Sequence, residues 1–251
     1  MAANNGDTPV YILIGGAGGI GTALAHRLNH RGASLVLAGR SPEPLEQLAR
    51  SLECEHQTCE AADFDAVKSL VDGVMEQHGR IDGIVNLAGS IVLKPAHSTS
   101  PEEFDEAMDQ NVRTAFATVR AAARPIQKSG GGSIVLMSSC AAEIGLMNHE
   151  LIAAAKAAVT GMARAAAATY AGGGVRVNAV APGLVDSPMS QKIVGSDAGR
   201  KASEALHPLG RLGEPDDIAP VIDWLLGPES AWVTGQTVGV DGGLAGIKGK
   251  G

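Results

Sequence analysis

Cysteine is scarce in this chain, and there is no excess of positive charge. Three cysteines, Cys54, Cys59 and Cys140, are too few and odd in number for a disulfide scaffold, which predicts a reducing, cytoplasmic location. The 20 lysines and arginines are outnumbered by 27 aspartates and glutamates, so the formal net charge is −7. Nucleic acids and anionic membranes bind positively charged protein surfaces, so this charge balance argues against either as a partner.

Leader-like and linker-like segments are also missing. Residues 1–10 lack the basic-then-apolar pattern of a signal peptide, and no apolar run is expected to reach the length of a membrane span. No stretch rich in proline or serine divides the chain. A chain of 251 residues is long enough to bury a sizeable core, so we predict a single domain over residues 1–251.

What the chain does have is a series of short apolar runs separated by helical patterns. The predicted strands are 10–14, 34–38, 83–86, 133–137, 175–180 and 236–240, with one helix running through Leu28 and another starting near Pro44. Strands that are apolar throughout, with helices between them, are typical of a parallel sheet covered on both faces. We therefore predict an α/β fold, a Rossmann-type doubly wound parallel sheet of about seven strands with helices on both faces.

A glycine-rich loop joins the first predicted strand to the first predicted helix. Residues 14–21 read Ile-Gly-Gly-Ala-Gly-Gly-Ile-Gly. Backbone amides at a helix N-terminus can hold a pyrophosphate, and glycine lets the phosphates approach closely. Such a loop can also be a plain flexible turn, but its place between a strand and a helix favours a dinucleotide site. The predicted cofactor contacts in this loop are Gly15, Gly18, Gly19, Ile20 and Gly21.

The end of the second predicted strand bears on the choice of cofactor. NAD-binding folds usually place a carboxylate here for the ribose hydroxyls, whereas this chain has Arg40 followed by Ser41. A guanidinium can pair with a 2′-phosphate. The sequence thus predicts NADP(H) in preference to NAD(H), with a solvated surface arginine as the alternative interpretation.

Several later motifs occur in an order that carries a family resemblance. Residues 86–89 read Asn-Leu-Ala-Gly, residues 178–183 read Asn-Ala-Val-Ala-Pro-Gly, and residues 211–219 and 234–243 supply further matches. With the glycine loop, these motifs resemble the short-chain dehydrogenase/reductase family over nearly the whole chain. The resemblance implies a homotetramer or homodimer and adds these cofactor-binding residues: Arg40, Ser41, Asp63, Phe64, Asn86, Ala88, Gly89, Lys156, Pro182, Gly183, Val185 and Ser187.

The family's catalytic pattern is a serine, a tyrosine thirteen residues later and a lysine four residues after that. Ser139 and Lys156 agree on this register, but the position between them that should hold the tyrosine is Ile152. Asn111 falls where the family has a structural and proton-relay asparagine. A positioned general acid is worth about 10²–10⁴-fold in rate, and isoleucine has no proton to give.

Another group would have to supply the missing proton. Tyr11 lies in the first predicted strand and Tyr170 at the far end of the helix that carries Lys156, so neither is expected at the site. His149 precedes Ile152 by three residues and histidine titrates near neutral pH, so we predict it, or an ordered water, as the replacement. A polar residue at a helix start is the alternative reading of His149.

We predict no metal site. The pair His149-Glu150 begins like a zinc motif, but the position of its second histidine holds Ala153. Cys54, His56 and Cys59 lack a fourth ligand at a recognisable spacing.

Two hypotheses of different class follow. The first is an NADP(H)-dependent oxidoreductase that interconverts a carbonyl and an alcohol on a small molecule, with Ser139, Lys156, Asn111 and His149 as catalytic residues. The second, suggested by Ile152, is a nucleotide-binding protein without turnover, acting as a sensor or as the inactive partner in an assembly.

Overall fold

One parallel sheet organises residues 8–248, the part of the chain that the computed structural model describes. Its strands are β1 Val10–Ile14, β2 Ser34–Gly39, β3 Glu55–Thr58, β4 Gly83–Asn86, β5 Gly132–Met137, β6 Val175–Pro182 and β7 Thr237–Val240. Their order across the sheet is β3-β2-β1-β4-β5-β6-β7, and every pairing is parallel. The predicted doubly wound α/β fold with about seven strands is confirmed.

Helices cover both faces of the sheet and define two apolar cores. The helices are α1 Gly19–His30, α2 Pro42–Leu52, α3 Phe64–His78, α4 Pro101–Met108, α5 Thr114–Lys128, α6 Glu150–Tyr170, α7 Gln191–Val194, α8 Asp197–Leu206 and α9 Pro215–Leu226. On one face, Leu24 of α1 and Ile222 of α9 pack with side chains of the central strands. On the other, Leu70 of α3, Ile126 of α5 and Val159 of α6 do the same. Because both faces are covered, the strands are apolar throughout.

Several predicted boundaries were wrong by a few residues. Helix α2 begins at Pro42 rather than near Pro44, because a proline in the first turn loses no hydrogen bond there. Strand β6 continues to Pro182 because its last residues pair with β7. Strand β7 begins at Thr237 rather than at Gln236, whose N–H donates to the side chain of Asn178.

The apolar pattern identifies no residues for β3. This strand reads Glu-His-Gln-Thr and lies at the edge of the sheet, where three of its four side chains are exposed. An edge strand need not be apolar, because no neighbouring strand covers its outer side. Only its pairing with β2 reveals it.

The sequence was expected to contain no apolar run as long as a membrane span, and helix α6 corrects this expectation. Residues Glu150–Gly173 are long and apolar enough, by length and composition alone, to cross a membrane. Half of the apolar window is buried inside the fold, and Ala155, Val159 and Ala163 of α6 are fully buried. The helix is therefore a core helix of the domain.

The strand order opens a crevice at one edge of the sheet. From β1 the chain builds outward through β2 and β3, then returns to place β4 on the other side of β1. The connections after β1 and β4 therefore leave in opposite directions. In open α/β sheets, ligands bind outside the carboxyl ends of the strands at this kind of reversal.

Candidate active site

The glycine loop turns back tightly beneath the first turn of α1. Gly15 has a positive φ of 79°, and the N–H groups of Gly15 and Gly16 both donate to the carbonyl of Ala38, at 2.7 and 3.1 Å. A Cβ atom on Gly21 would collide with the carbonyl oxygens of Gly15 and Gly16. The loop can therefore follow this path only with glycine at position 21, and it is anchored to the end of β2.

The N-terminus of α1 is open to an anion. Gly18 precedes the helix, no side chain caps it, and its first turn contains no acidic residue. The first backbone N–H groups of a helix have no intrahelical acceptor, and the helix dipole is positive at this end. The backbone around Gly19, Ile20 and Gly21 therefore fits a pyrophosphate, as required of a dinucleotide loop.

Arg40 and Ser41 lie beside this loop. Arg40 is exposed and has no hydrogen bond or ion pair with any other residue in the range 8–248. Ser41 is the N-cap of α2, and its hydroxyl makes no capping hydrogen bond. The Ala38 carbonyl that holds the glycine loop is two residues away. An unengaged guanidinium, a hydroxyl and a helix N-terminus together suit a phosphate monoester.

The segment after β4 connects the glycine loop to the catalytic candidates. The side-chain oxygen of Asn86 accepts the N–H of Ala88 at 2.9 Å. A Cβ atom on Gly15 would lie 3.1 Å from the Ala88 nitrogen, so the two loops touch. A Cβ atom on Gly89 would lie 2.9 Å from the Asn111 side-chain oxygen and 3.3 Å from Lys156 Nζ. Gly89 thus lies between Asn111 and Lys156, and any larger residue would push them apart.

Lys156 is buried, and no acidic residue within the range 8–248 pairs with it. Its side chain is on the core side of α6, the residue is 8 % exposed, and Nζ donates to the carbonyl of Met137 at 3.0 Å. Burial lowers the pKa of Lys156 from 10.5 to about 8. Ile152, one helical turn earlier on the same face, is 4 % exposed. Where the family pattern has a phenol, the space beside Lys156 is therefore filled with an apolar side chain.

Hydrogen bonds fasten the end of β5 to α6. The Ser138 hydroxyl donates to the carbonyl of Lys156 at 3.1 Å and shares a 2.9 Å hydrogen bond with Thr160. Ser139, the next residue, is half-buried, and its oxygen accepts the N–H of Ala141 at 3.2 Å. Burial raises the pKa of Cys140 to about 11, so it stays a thiol and is not a nucleophile. Ser138 is structural, and Ser139 is the serine available to a ligand.

Asn111 lies on a π-helical turn that the sequence did not predict. The turn, Asp109–Arg113, separates α4 from α5, and such turns are frequent at functional sites. The Asn111 amide nitrogen donates to Ser90 Oγ at 3.1 Å and to the Ala107 carbonyl at 2.9 Å, while its oxygen accepts the Ser90 N–H at 3.2 Å. Ser90 was not predicted as a site residue, although it directly follows the Asn-Leu-Ala-Gly motif.

His149 lies outside this hydrogen-bond network. It is the residue before α6, it is half-buried, and its Nδ1 lies 2.7 Å from the carbonyl oxygen of Met147. A carbonyl oxygen only accepts hydrogen bonds, so Nδ1 carries the proton. In the neutral ring, Nε2 then has a lone pair, and His149 can donate from Nε2 only as an imidazolium.

Asp63 and Phe64, predicted to contact the cofactor, have clear local roles. The Asp63 carboxylate caps α3 by accepting the N–H groups of Asp65 and Ala66 at 2.8 and 3.1 Å. The Phe64 ring packs against the guanidinium groups of Arg113 in the π-helical turn and Arg120 on α5. The cofactor contacts of Asp63 and Phe64 stay predictions.

The segment after β6, residues 182–187, approaches the glycine loop from the other side. The Gly183 N–H donates to Val240 of β7, and Val185 bridges to Gly213. The Cβ atom of Ser187 lies 3.3 Å from where a Cβ on Gly19 would be. The predicted residues Pro182, Gly183, Val185 and Ser187 thus belong to a segment that reaches the glycine loop at Ser187, and α7 and α8 follow it.

Comparison with known proteins identifies the family. The chain matches the family model described as enoyl-(acyl carrier protein) reductase over residues 15–245. It is 34% identical to the 3-oxoacyl-[acyl-carrier-protein] reductase of Thermotoga maritima, an alignment covering 94% of this chain and 97% of that protein. This chain belongs to the short-chain dehydrogenase/reductase family. It is also 33% identical to the D-threitol dehydrogenase of Mycolicibacterium smegmatis, over 94% of this chain and 93% of the relative.

Solved structures of related proteins have the same fold. A short-chain type dehydrogenase/reductase from Mycobacterium ulcerans superposes with a TM-score of 0.91 at 31% identity, covering 96% of this chain and 91% of that one. The actinorhodin polyketide ketoreductase with NADPH superposes with a TM-score of 0.91 at 27% identity, covering 98% and 100%. Membership makes this chain an oxidoreductase with a nicotinamide cofactor site.

Proposed function

We propose that the protein is an NADP(H)-dependent oxidoreductase that interconverts a carbonyl and an alcohol on a small molecule, as a single cytoplasmic domain over residues 1–251. The observation that carries this proposal is the continuous contact from the glycine loop through Ala88 and Gly89 to Asn111 and Lys156. The names of the relatives support it, since they describe reductases and dehydrogenases, and the ketoreductase structure contains NADPH.

Each part of the cleft has a separate task in this proposal. A bound nicotinamide would supply or accept the hydride. Lys156 binds the ribose hydroxyls with the N–H groups that Met137 does not use. Ser139 holds the substrate carbonyl, and Asn111 holds a water on the path toward Lys156. Fixing the reacting groups in this way lowers the barrier even where acid catalysis is weak.

The proton is assigned to His149 or to an ordered water, because Ile152 has none to give. The Nδ1–H of His149 is engaged with Met147, so the ring is an acid at Nε2 only when it is doubly protonated. Carbonyl reduction through His149 therefore uses the doubly protonated ring, and alcohol oxidation, the reverse transfer, uses the ring with a free lone pair on Nε2.

Replacing Ser139 or His149 with alanine tests these roles. Each change is expected to lower kcat/KM for NADPH-dependent carbonyl reduction about tenfold, because one hydrogen bond to the substrate or one proton donor is lost and water replaces part of it. The rates are measured on a panel of ketones and aldehydes. His30→Ala, at the exposed end of α1, is the control and should not change them. Unchanged rates in both test variants would contradict the assignments.

Replacing Arg40 with leucine tests the choice of cofactor. We expect the Kd for NADPH to rise about tenfold, because an exposed charge-assisted hydrogen bond to phosphate is lost, while the Kd for NADH stays the same. Calorimetry measures both constants. Arg50→Leu, farther along α2 and paired with Glu46, is the matched control. If NADPH and NADH bind Arg40→Leu as they bind the wild type, Arg40 is a solvated surface residue.

The alternative of a binding protein without turnover still has the burial of Ile152 in its favour. The catalytic names of the relatives do not favour it. Robust wild-type turnover on any member of the carbonyl panel would exclude it.

We also propose a homotetramer or homodimer built through α5 and α6. On the exposed face of α6, the side chains at Ala154, Ala157, Ala158, Gly161 and Ala165 are small and allow a second helix to approach closely beside the larger Arg164. Phe116, 49% exposed, adds apolar surface on α5, which contacts α6. Sedimentation velocity should therefore show a species larger than 25.5 kDa, and a monomer at micromolar concentration would refute this arrangement.

A further inference from the structure

His207 is a buried histidine that connects α8 to the segment after β6. It directly follows α8 and is 3 % exposed. Its Nδ1 lies 2.8 Å from the carbonyl oxygen of Ser203 in α8, and its Nε2 lies 3.1 Å from the backbone nitrogen of Leu184. Leu184 belongs to residues 182–187, the segment that reaches the glycine loop at Ser187. One ring thus joins α8 to this segment.

The two partners determine the protonation state of this ring. The Ser203 carbonyl can only accept, so Nδ1 carries a hydrogen, while the Leu184 N–H donates, so Nε2 must offer its lone pair. The ring is therefore neutral and in a single tautomer. A second proton on Nε2 would point at the Leu184 N–H, and that hydrogen bond would be lost.

The backbone of two segments lies close to the ring. A Cβ atom on Gly183 would lie 2.7 Å from Nε2, and a Cβ atom on Gly242 would lie 3.5 Å from the His207 Cβ. Glycine on both sides lets the ring fit against the backbone after β6 and the backbone after β7. A second proton on Nε2 would therefore face the segment that contains Gly183 and Leu184.

The charged groups around His207 do not compensate a second proton. Asp241, in the loop after β7, already accepts the N–H groups of Gly243 and Ala245. The charged residues on α8 and on residues 182–187 are Asp197, Arg200, Lys201, Glu204 and Asp186, and Arg200 is paired with Asp186. The ring's hydrogen bonds are to backbone groups alone.

We propose that His207 is a positioning residue that latches residues 182–187 to α8 while it is neutral. Protonation releases the Leu184 N–H and loosens the segment. Residues 182–187 reach the glycine loop at Ser187, so protonation of His207 should weaken NADPH binding. This step rests on the proposed function. The latch itself is a property of the cofactor-free protein.

Two substitutions separate the latch from simple packing. In His207→Gln, the side-chain oxygen can reach the Leu184 N–H and does not titrate. His207→Asn is one methylene shorter, so it can still donate to Ser203 but does not reach Leu184. Both variants remove the ring, so they share the packing loss and differ in the hydrogen bond that matters. Circular dichroism confirms that each variant is folded.

Hydrogen exchange at the Leu184 amide in the cofactor-free protein is the first measurement. After correction for intrinsic pH dependence, wild-type protection should fall at least about tenfold when the His207 ring takes up its second proton, a step followed by NMR of the ring in the same pH titration. His207→Gln should keep its protection throughout the titration, and His207→Asn should lack it throughout. An equal fall in the wild type and His207→Gln, or full protection in His207→Asn, would overturn the latch.

Nitrogen NMR of the wild-type His207 ring tests the tautomer without any substitution. A neutral ring with its proton on Nδ1 is expected at neutral pH, and a proton on Nε2 would overturn the proposal. Calorimetry with NADPH then tests the link to the cleft: the Kd should rise more on acidification in the wild type than in His207→Gln. If exchange behaves as expected but NADPH does not bind at all, the latch stands and the proposed function fails. If NADPH binds with the same pH dependence in both proteins, the coupling fails and the proposed function stands.

Discussion

Ile152→Tyr is expected to raise kcat/KM for carbonyl reduction by about 10²–10⁴-fold, the usual worth of a positioned general acid. Position 152 lies one helical turn before Lys156 on the same face of α6, so a phenol there would lie beside the ammonium group. A neighbouring positive charge lowers the pKa of a phenol and makes it a better proton donor near neutral pH. The rate is measured with NADPH on the carbonyl panel used for the wild type.

Ile152→Phe is the matched control for this experiment. Position 152 is only 4 % exposed, so any aromatic ring there overpacks the site and destabilises the fold by about 1–3 kcal/mol. Tyrosine and phenylalanine share this cost and differ only in the hydroxyl. Equal rates for the two variants would show that the missing phenol does not limit turnover. If the wild type is inactive and only the tyrosine variant gains activity, the protein is a nucleotide-binding relative that has lost its chemistry.

Lys156→Met is expected to stabilise the protein by about 2 kcal/mol at pH 7 while abolishing turnover. Burial lowers the pKa of Lys156 from 10.5 to about 8. At roughly 1.4 kcal/mol per pKa unit, holding this charge in the fold costs about 3 kcal/mol at neutral pH. The Met137 carbonyl loses its donor in the variant, which offsets about 1 kcal/mol of the gain. A buried lysine kept at such a cost is typical of a functional residue.

The pH dependence of this stabilisation has a definite sign. The unfolded chain keeps the lysine proton up to about pH 10.5, whereas the folded protein releases it near pH 8. Between these values the unfolded state binds more protons, so wild-type stability rises with pH and the advantage of the methionine variant shrinks. Urea unfolding at about pH 7 and pH 10 measures both effects. Lys201→Met, at an exposed position on α8, is the control, and a gain that does not depend on pH would contradict the explanation.

The fold was largely predictable because most strands are buried on both faces. An element that excludes water on every side has to be apolar throughout, and such runs are visible without any tertiary information. Strand β3 was missed for the converse reason, since Glu55 and its neighbours are at the sheet edge and their side chains meet water. Helix ends were placed less well, because capping depends on local geometry, as at Pro42.

The sequence supplies candidate residue types for the site but does not indicate their contacts. Spacing alone aligned Ser139 with Lys156 and exposed the isoleucine between them. No spacing rule indicated that Gly89 lies between Asn111 and Lys156, or that Ser90 holds Asn111 in place. Gly89 and Lys156 are more than sixty positions apart, and Asn111 is about twenty positions from Gly89 and Ser90. These residues meet because the parallel strands that precede them end at one edge of the sheet.

The amino-acid sequence by itself determined the doubly wound sheet, the glycine loop and the isoleucine thirteen residues after Ser139, because each depends on residue type and local spacing. Only the tertiary structure decided the environments. Burial lowered the pKa of Lys156. His149 donates to the Met147 carbonyl and not to the hydrogen bonds around Asn111 and Lys156. Two backbone partners hold the His207 ring neutral. The physical reason is that protonation depends on dielectric surroundings and on the direction of hydrogen bonds, and both arise when distant segments pack together.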